Sequence, residues 1–323
     1  MGIAALLICN SHLEAFYPRR WMAADGLVGN LLFFLLSGYG TGLSARSGRS
    51  GLLGFVGRRV VRIQPSVILA SVGSMGVGFF AWPATALETV TSFGWPTHFG
   101  YIRQIMIFYP VVWLVARWPT RWQTGVSFGS VGAWLSASAL AFQREGGREM
   151  SLGQMPEWFW WTFYFLVCLA GALLPGREAA LRPGSLRRWF ALVGVVAGVY
   201  VLVKFELALR VWSVRIPAIV LGMALQVLGA ALALLLLAGV SHLNASLSTL
   251  RLDACLGFIG RLSLQTYVLH EGVAFCLHSS TWPWPAKLGA EFLITIMLAW
   301  VLRALTDWIA GVARPAPRGA AAT

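Results

Sequence analysis

The sequence has few charged residues. Aspartate, glutamate, lysine and arginine make up 11% of its 323 positions, whereas hydrophobic residues make up 58%. A soluble domain normally carries about 25% charged residues. The mean hydropathy is +0.70, and long apolar runs recur along the whole chain. This composition excludes an ordinary soluble domain and predicts an all-α fold, a polytopic bundle of transmembrane helices.

Several motifs of soluble enzymes are also missing. The chain has no Gly-x-Ser-x-Gly, no Walker phosphate loop and no His-Glu-x-x-His. Its four cysteines lie in apolar runs without the spacing of a metal or redox site; they are Cys9, Cys168, Cys255 and Cys276. We therefore predict no metal site and interpret the cysteines as small hydrophobic residues.

Acidic residues are scarce relative to basic ones, 12 against 25, which gives a net charge of +13. A basic excess can indicate nucleic-acid binding. In a membrane protein, however, lysine and arginine gather in cytoplasmic loops for reasons of topology, so we predict no nucleic-acid partner. If the loop 45–63 is cytoplasmic, most of the arginines lie on that side, and we expect both termini there.

Measured against the length that a membrane span requires, the chain has about ten apolar segments. They cover residues 1–13, 27–44, 64–85, 101–117, 123–143, 158–175, 189–208, 216–240, 255–277 and 288–312. The first is too short to cross a bilayer alone, so it either enters part way or is completed by residues upstream. We assign residues 1–313 to one membrane domain and the Pro/Ala/Arg-rich residues 314–323 to a disordered cytoplasmic tail.

Ionisable residues inside membrane segments are costly, so each one is a candidate functional residue. The first group, Asn10-Ser11-His12-Leu13-Glu14, closes the first segment. His12 could act as a general base tuned by its neighbour Glu14. It could equally be an interfacial histidine that hydrogen-bonds a backbone carbonyl. These residues alone do not separate the two interpretations.

A second group lies in the ninth segment. Ser263, Tyr267, His270 and Glu271 recur at a spacing of three and four residues, which places them on one helical face. Such a stripe must face protein or a water-filled cavity. It also lies far enough into the segment for His270 to share the outer level of His12. The alternative is a network of hydrogen bonds that only holds helices together.

The third group is the stretch Gly29–Pro65, which joins an apolar run to a basic segment. The apolar run carries small polar residues along one face and glycines that permit close approach of a backbone or ligand: Asn30, Ser37, Gly38, Gly40, Thr41, Gly42 and Ser44. In the basic segment, Arg58, Arg59 and Arg62 share a helical face suited to phosphates. Spacing alone favours ordinary topology, with anionic membrane lipid as their partner.

Taken in order, these segments resemble the acyltransferase 3 family of integral-membrane O-acyltransferases. The resemblance lies in FFLLSGYGTGLS, then GRRVVRIQP, then GFIGRLSLQTYVLH, with ICNSHLEAFYP similar to the first-helix histidine segment of one branch. Trp95-Pro96-Thr97 also falls where that branch has a similar tripeptide. Each motif is short, but the ordered set extends from residue 8 to residue 271.

The resemblance implies transfer of an acyl group, usually acetyl, from cytoplasmic acetyl-CoA to a hydroxyl of an envelope glycan such as O-antigen, capsule or exopolysaccharide. It implies an inner-membrane enzyme that uses acetyl-CoA as donor substrate and needs no metal. By this resemblance His12 is the catalytic histidine. We count Glu14 and His270 with His12 as catalytic candidates, because either Glu14 or the stripe around His270 could steer His12. The remaining roles are donor phosphate binding by Arg58, Arg59 and Arg62, an acyl path lined by Ser37 and Gly38, and support from Asn10, Tyr267 and Glu271.

One departure from the family pattern concerns the start of the chain. The family often has a basic residue eleven positions before the first-helix histidine, and Met1 occupies that position here. Together with the short first segment, this suggests a trimmed or misassigned start. The alternative function is a transporter or flippase of a lipid-linked glycan, in which the same polar stripes would line a pathway.

Overall fold

The computed structural model describes residues 1–19, 22–23, 26–48, 51–95, 97–144, 156–177, 185–209, 217–239 and 252–312. Over these ranges the chain is helical and contains no strand, so the all-α prediction is confirmed. The predicted tail, residues 314–323, lies outside the described residues, as do residue 313 and Pro96.

The described helices are numbered along the chain. They are α1 (Gly2–Ser11), α2 (Gly26–Arg46), α3 (Leu52–Gly76), α4 (Ala86–Phe93), α5 (Gly100–Arg117), α6 (Thr120–Arg144), α7 (Glu157–Leu173), α8 (Leu186–Leu209), α9 (Ala218–Ala238), α10 (Leu252–Arg261), α11 (Ser263–His278) and α12 (Trp284–Val312). A 3₁₀ turn, Glu14–Phe16, follows α1.

Five described helices are long and apolar enough to cross a membrane: α2, most of α6, most of α8, α9 and most of α12. The predicted number of about ten spans is not confirmed. The apolar helices α1 and α7 are shorter, with 10 and 17 residues. Helix α3 reaches 25 residues only by including the basic segment with its three arginines.

The chain forms two compact units. The first comprises Met1–Gly26, Leu53–Arg103 and Leu256–Thr323, and the second comprises Leu27–Leu52 and Gln104–Cys255. In the second unit, α8 packs on α9 and α6 packs on α7. Inside this unit Trp134 Nε1 donates to Gln226 Oε1 at 2.8 Å.

In the first unit, α11 packs against both α1 and α12. Helix α3 also lies along α11, since Gln265 Nε2 donates to Ser66 Oγ at 3.1 Å. Farther along, a Cβ atom at Gly272 would lie 3.2 Å from Ser74 Oγ. Because the two contacts advance in the same direction on both helices, α3 and α11 run parallel.

Helix α3 differs from the prediction that a basic segment ends at Pro65 and a new apolar segment begins at residue 64. The helix is continuous from Leu52 to Gly76, with Pro65 inside it. It ends in a Schellman motif, in which the N–H of Gly78 donates to Met75 O at 3.0 Å and that of Phe79 to Ser74 O at 2.8 Å. Gly78 has φ +79°, a conformation that favours glycine.

The predicted ninth segment, 255–277, is two helices. Helix α10 ends at Arg261 and α11 begins at Ser263. Leu262 between them is buried and keeps a near-helical conformation, with φ −90° and ψ 0°. The break separates the polar stripe from the apolar residues that precede it, so Ser263, Tyr267, His270 and Glu271 all belong to α11.

Candidate active site

Helix α1 ends where its polar residues begin. Ser11 Oγ donates to the carbonyl of Ile8 at 2.7 Å, and the backbone N–H of His12 donates to Cys9 O at 3.1 Å. Leu13 and Phe16 are then buried in an apolar cluster with Val273 and Leu277 of α11. This packing fixes the turn after α1. The side chain of His12, the residue just before Leu13, is left exposed beside α11.

The His12 imidazole contacts the carboxylate of Glu271 of α11. The distance from His12 Nδ1 to Glu271 Oε1 is 3.2 Å, and the two side chains are 44% and 37% exposed. A carboxylate that accepts the Nδ1 proton fixes the tautomer and leaves Nε2 as the basic nitrogen. His12 is also the C-cap residue of α1, where the backbone N–H of His12 donates to the carbonyls of Cys9 and Asn10.

His270 lies directly behind this pair. Its ring centroid is 4.8 Å from that of His12, with an interplanar angle of 72°, and its side chain is buried with only 1% of the residue exposed. His270 Nδ1 lies 2.7 Å from the carbonyl oxygen of Tyr267. Since a carbonyl only accepts, Nδ1 carries the proton and His270 Nε2 keeps its lone pair.

Tyr267 connects the stripe to the start of α5. Its hydroxyl accepts a hydrogen bond from the backbone N–H of Tyr101 at 3.0 Å, and the two rings meet edge to face with centroids 5.5 Å apart. The first N–H groups of a helix have no partner within the helix. Tyr267 supplies a partner for one of these N–H groups, so its hydroxyl caps the first turn of α5.

Asn10 is held by the residue that follows the 3₁₀ turn. The Tyr17 hydroxyl donates to Asn10 Oδ1, and the Tyr17 ring lies 5.8 Å from that of Trp284. Burial raises the pKa of the Tyr17 hydroxyl, although the hydrogen bond to Asn10 opposes the shift. The hydroxyl therefore stays neutral and can act as the donor.

By sequence, either Glu14 or the stripe around His270 could steer His12. Glu14 is exposed in the 3₁₀ turn, whereas Glu271 of the stripe makes the contact with His12. The structure therefore brings the carboxylate of the ninth-segment stripe to His12, and Glu14 lies in the first turn of the neighbouring 3₁₀ helix. Linear proximity made Glu14 the obvious neighbour, but the backbone turns between the two residues.

Arg58 and Arg62 are exposed on α3, and Arg59 beside them is half-buried. The Arg59 guanidinium is 5.3 Å from the centroid of the Phe55 ring, a cation–π contact one helical turn away. Ser66 is level with Gln265, and the arginines precede Ser66 on a helix that runs parallel to α11. At 1.5 Å per residue, they lie about 13–20 Å along the axis from the level of His270.

Ser37 and Gly38 have structural neighbours in the second unit. A Cβ atom at Gly38 would lie 1.9 Å from the Cys168 carbonyl oxygen, and one at Gly42 would lie 2.1 Å from that of Ala172. Ser37 is buried, and its carbonyl accepts from Thr41 Oγ1 at 2.8 Å. Gly38 therefore serves the close approach of α2 and α7, a small-residue contact between helices, and its contacts do not support a role in lining an acyl path.

Sequence reasoning missed two buried polar residues of the first unit. Gln265 lies on the stripe helix but bonds Ser66 of α3. Glu291 of α12 is 0% exposed, and its Oε1 accepts from Thr295 Oγ1 at 3.0 Å. A lone acidic residue within an apolar segment is itself a signal, and that signal would have found Glu291.

His12, His270 and Glu271 form a cluster whose side chains are capable of acid–base chemistry and of metal coordination. One ligand atom from each of His12, His270 and Glu271 lies within 4.8 Å of the other two. The prediction of no metal site rested on linear spacing, which cannot detect residues brought together from opposite ends of the chain. The histidine–carboxylate pair itself matches the base and orienting group of acyl-transfer sites.

The described chain combines apolar helices of membrane-spanning length with an accessible histidine–carboxylate pair. The family model described as "Acyltransferase domain" matches residues 2–307. The chain therefore belongs to the acyltransferase 3 family. Comparison with curated proteins and with solved structures gives no match.

Family membership and the apolar helices make the protein an integral-membrane acyltransferase. The matched region includes α1, α3, α11 and most of α12, and therefore every residue of the candidate site. The alternative of a transporter or flippase finds no support in the comparisons.

Proposed function

We propose that the protein transfers an acetyl group from cytoplasmic acetyl-CoA to a hydroxyl of an envelope or secreted polysaccharide, or of its lipid-linked precursor. The observation that carries the proposal is the His12–Glu271 pair in a chain of the acyltransferase 3 family. The pair provides a base with an orienting carboxylate, and the family provides the reaction class. The polysaccharide acceptor and the acetyl donor come from the family resemblance.

His12 acts as the general base in the proposed mechanism. Glu271 holds the Nδ1 proton, so His12 Nε2 removes the proton of the acceptor hydroxyl. The resulting oxygen attacks the thioester carbonyl and forms a C–O bond. The tetrahedral intermediate then breaks its C–S bond, and the imidazolium returns its proton to the leaving thiolate. The products are an O-acetyl ester and CoA, and the proton balance closes on His12.

His270 supports the imidazole of His12 from its buried side. Because its Nδ1 proton is held by the Tyr267 carbonyl, the ring has one orientation and packs edge to face on His12. A fixed neighbouring ring limits the rotation of His12 and keeps Nε2 directed toward the reacting hydroxyl. His270 is thus proposed as a positioning residue.

The proposed donor site is the exposed arginine face of α3. Guanidinium groups bind phosphate oxygens in a bidentate manner, and CoA is an anionic nucleotide. The separation of about 13–20 Å between the arginines and His270 along the parallel helices suits a donor with a long arm. The CoA phosphates would remain at the arginines while the thioester reaches the histidines.

The proposed orientation in the membrane follows from the route of the donor between the arginines and the histidines. The arginines lie at the cytoplasmic mouth of an inner-membrane protein, with both termini cytoplasmic, and the histidines lie nearer the outer face. This orientation lets a cytoplasmic donor serve an acceptor on the other side of the bilayer.

The test is the acetyl content of surface glycan in strains that carry single substitutions at equal protein level. His12→Ala should abolish O-acetylation, measured by the acetyl signals in the NMR spectrum of purified glycan. His278→Ala is the matched control, because His278 lies on α11 but outside the cluster. Full acetylation in the His12→Ala strain would refute the proposal. Loss of glycan export with normal acetylation of the remaining glycan would favour a transporter instead.

A further inference from the structure

The three clustered residues have the composition of a metal site. We infer that His12, His270 and Glu271 bind a divalent transition-metal ion such as Zn²⁺, and that the bound ion holds the enzyme in an inactive state. Binding follows from the geometry alone, whereas the inactive state rests on the proposed function of His12 as the general base.

The His12–Glu271 pair already has the spacing of two metal ligands. Zinc bonds to nitrogen and oxygen are near 2.0–2.1 Å, so two ligand atoms of a tetrahedral site lie about 3.3 Å apart. The observed distance from His12 Nδ1 to Glu271 Oε1 is 3.2 Å. An ion can therefore replace the shared proton with little change in the distance between these two atoms.

His270 supplies the third ligand through its Nε2 atom. Its Nε2 is buried and has no hydrogen-bond partner in the part of the chain that the structure describes. A buried polar atom without a partner is costly, and a ligand removes that cost. One ligand atom from each of the three residues lies within 4.8 Å of the other two.

The other nitrogen of His270 is arranged as in known metal sites. Histidines that bind metals usually donate their second ring N–H to a carbonyl or carboxylate, which fixes the ring and the tautomer. His270 Nδ1 makes this contact with the Tyr267 carbonyl oxygen at 2.7 Å. The lone pair of Nε2 is thus free of a proton without any further change.

Partial exposure allows the remaining adjustment and the entry of an ion. The His12 and Glu271 side chains are 44% and 37% exposed, so they can rotate to bring the ligand atoms to tetrahedral separations. The site has three protein ligands and room for a fourth from solvent, as in open zinc sites.

The donor set also predicts which ions bind. Two imidazoles and one carboxylate suit Zn²⁺, Co²⁺, Ni²⁺ and Cu²⁺, whereas Mg²⁺ and Ca²⁺ prefer oxygen ligands. A bound ion takes the place of the Nδ1 proton of His12 and occupies the Glu271 carboxylate, and the neutral imidazole then carries its proton on Nε2. Nε2 is the nitrogen that removes the acceptor proton in the proposed mechanism, so the ion blocks this step.

The test begins with binding, independent of activity. The full chain is purified in detergent without a polyhistidine tag and titrated with Co²⁺, whose visible absorption reports a four-coordinate site; Zn²⁺ then displaces it. We expect one ion per chain. His270→Asn and Glu271→Gln should each weaken binding at least about tenfold. His278→Asn, on the same helix, should bind like the wild type.

Thermal unfolding keeps the test independent of variants that fold poorly. An ion that binds only the folded chain raises its unfolding temperature. Zn²⁺ should raise it for the wild type and for His278→Asn, and should leave Glu271→Gln unchanged. Equal Zn²⁺ stabilisation of all three proteins would mean adventitious surface binding and would overturn the site.

Activity tests the second half of the inference. Zn²⁺ should stop acetyl transfer by the wild type, EDTA should restore it, and Mg²⁺ at the same concentration should have no effect. Stimulation by Zn²⁺ would overturn the inactive-state claim. A protein that binds one Zn²⁺ at this cluster but never transfers acetyl groups would support the metal site and refute the proposed function, so the two failures are distinguishable.

Discussion

His12 Nδ1 lies 3.2 Å from Glu271 Oε1, although the two residues come from opposite ends of the chain. The contact exists because the turn after α1 buries Leu13 and Phe16 against α11. The same packing brings the His270 ring to His12. The acid–base pair is therefore a product of helix packing rather than of a local motif.

Glu271→Gln should remove most of the activity while the protein remains folded. The amide is isosteric, but it cannot stabilise the imidazolium or select the tautomer of His12. We expect kcat to fall about 10²–10⁴-fold with little change in the KM for acetyl-CoA. Steady-state kinetics in detergent or vesicles measure both constants. Glu14→Gln is the informative companion, and a larger loss there would show that Glu14 steers His12.

Tyr267→Phe should destabilise the protein more than it impairs chemistry. The substitution leaves the backbone N–H of Tyr101 without the acceptor that Tyr267 provides at 3.0 Å. An unsatisfied donor costs about 1–3 kcal/mol where it is buried. Thermal unfolding should show the loss, and kcat should remain far above that of Glu271→Gln. A kcat as low as that of Glu271→Gln would instead place the Tyr267 hydroxyl in the chemistry.

Gly38→Ala and Gly42→Ala should disrupt the contact between α2 and α7. Each new methyl group would lie within 2.1 Å of a backbone carbonyl oxygen, which cannot rotate away. We expect a loss of about 1–3 kcal/mol in the free energy of unfolding. Gly194→Ala is the control, because its Cβ meets no described atom within 4 Å and alanine favours the helix. Equal stability of all three variants would contradict the packing role.

Replacing the arginines of α3 should weaken donor binding selectively. A hydrogen bond to a charged group contributes about 1.5–3 kcal/mol, so Arg58→Ala, Arg59→Ala or Arg62→Ala should raise the KM for acetyl-CoA about tenfold or more wherever such a bond is lost. Kinetics with varied acetyl-CoA measure the change. The matched control is Arg187→Ala with Arg188→Ala, an exposed arginine pair on α8. An equal rise in the control would indicate a general charge effect.

The composition and the apolar runs were enough to predict an all-α membrane protein, and the order of the motifs was enough to predict the family. Helix ends were harder to predict. Pro65 marks a boundary by its missing N–H, yet α3 continues through it. Conversely, α10 and α11 separate at Leu262, where the sequence has only an apolar residue. Packing against neighbouring helices decides both cases, and periodicity cannot detect it.

The candidate site was likewise only partly predictable from the sequence. The spacing of Tyr267, His270 and Glu271 predicted a shared face on one helix, and all three lie on α11. Which carboxylate meets His12 depends on the turn after α1, so sequence left Glu14 and the stripe open. The glycines of α2 predicted the close approach of a backbone or ligand, but they did not identify the approaching group. At Gly38 it is the backbone of α7.

The most direct test of the central claim measures acetyl transfer by purified protein in lipid vesicles. Acetyl-CoA and the isolated glycan are the substrates, and both free CoA thiol and O-acetyl glycan are quantified. The account predicts that the wild type and His278→Ala form the two products in equal amounts, and that His12→Ala forms neither above the uncatalysed level. Transfer by His12→Ala at the wild-type rate would contradict it.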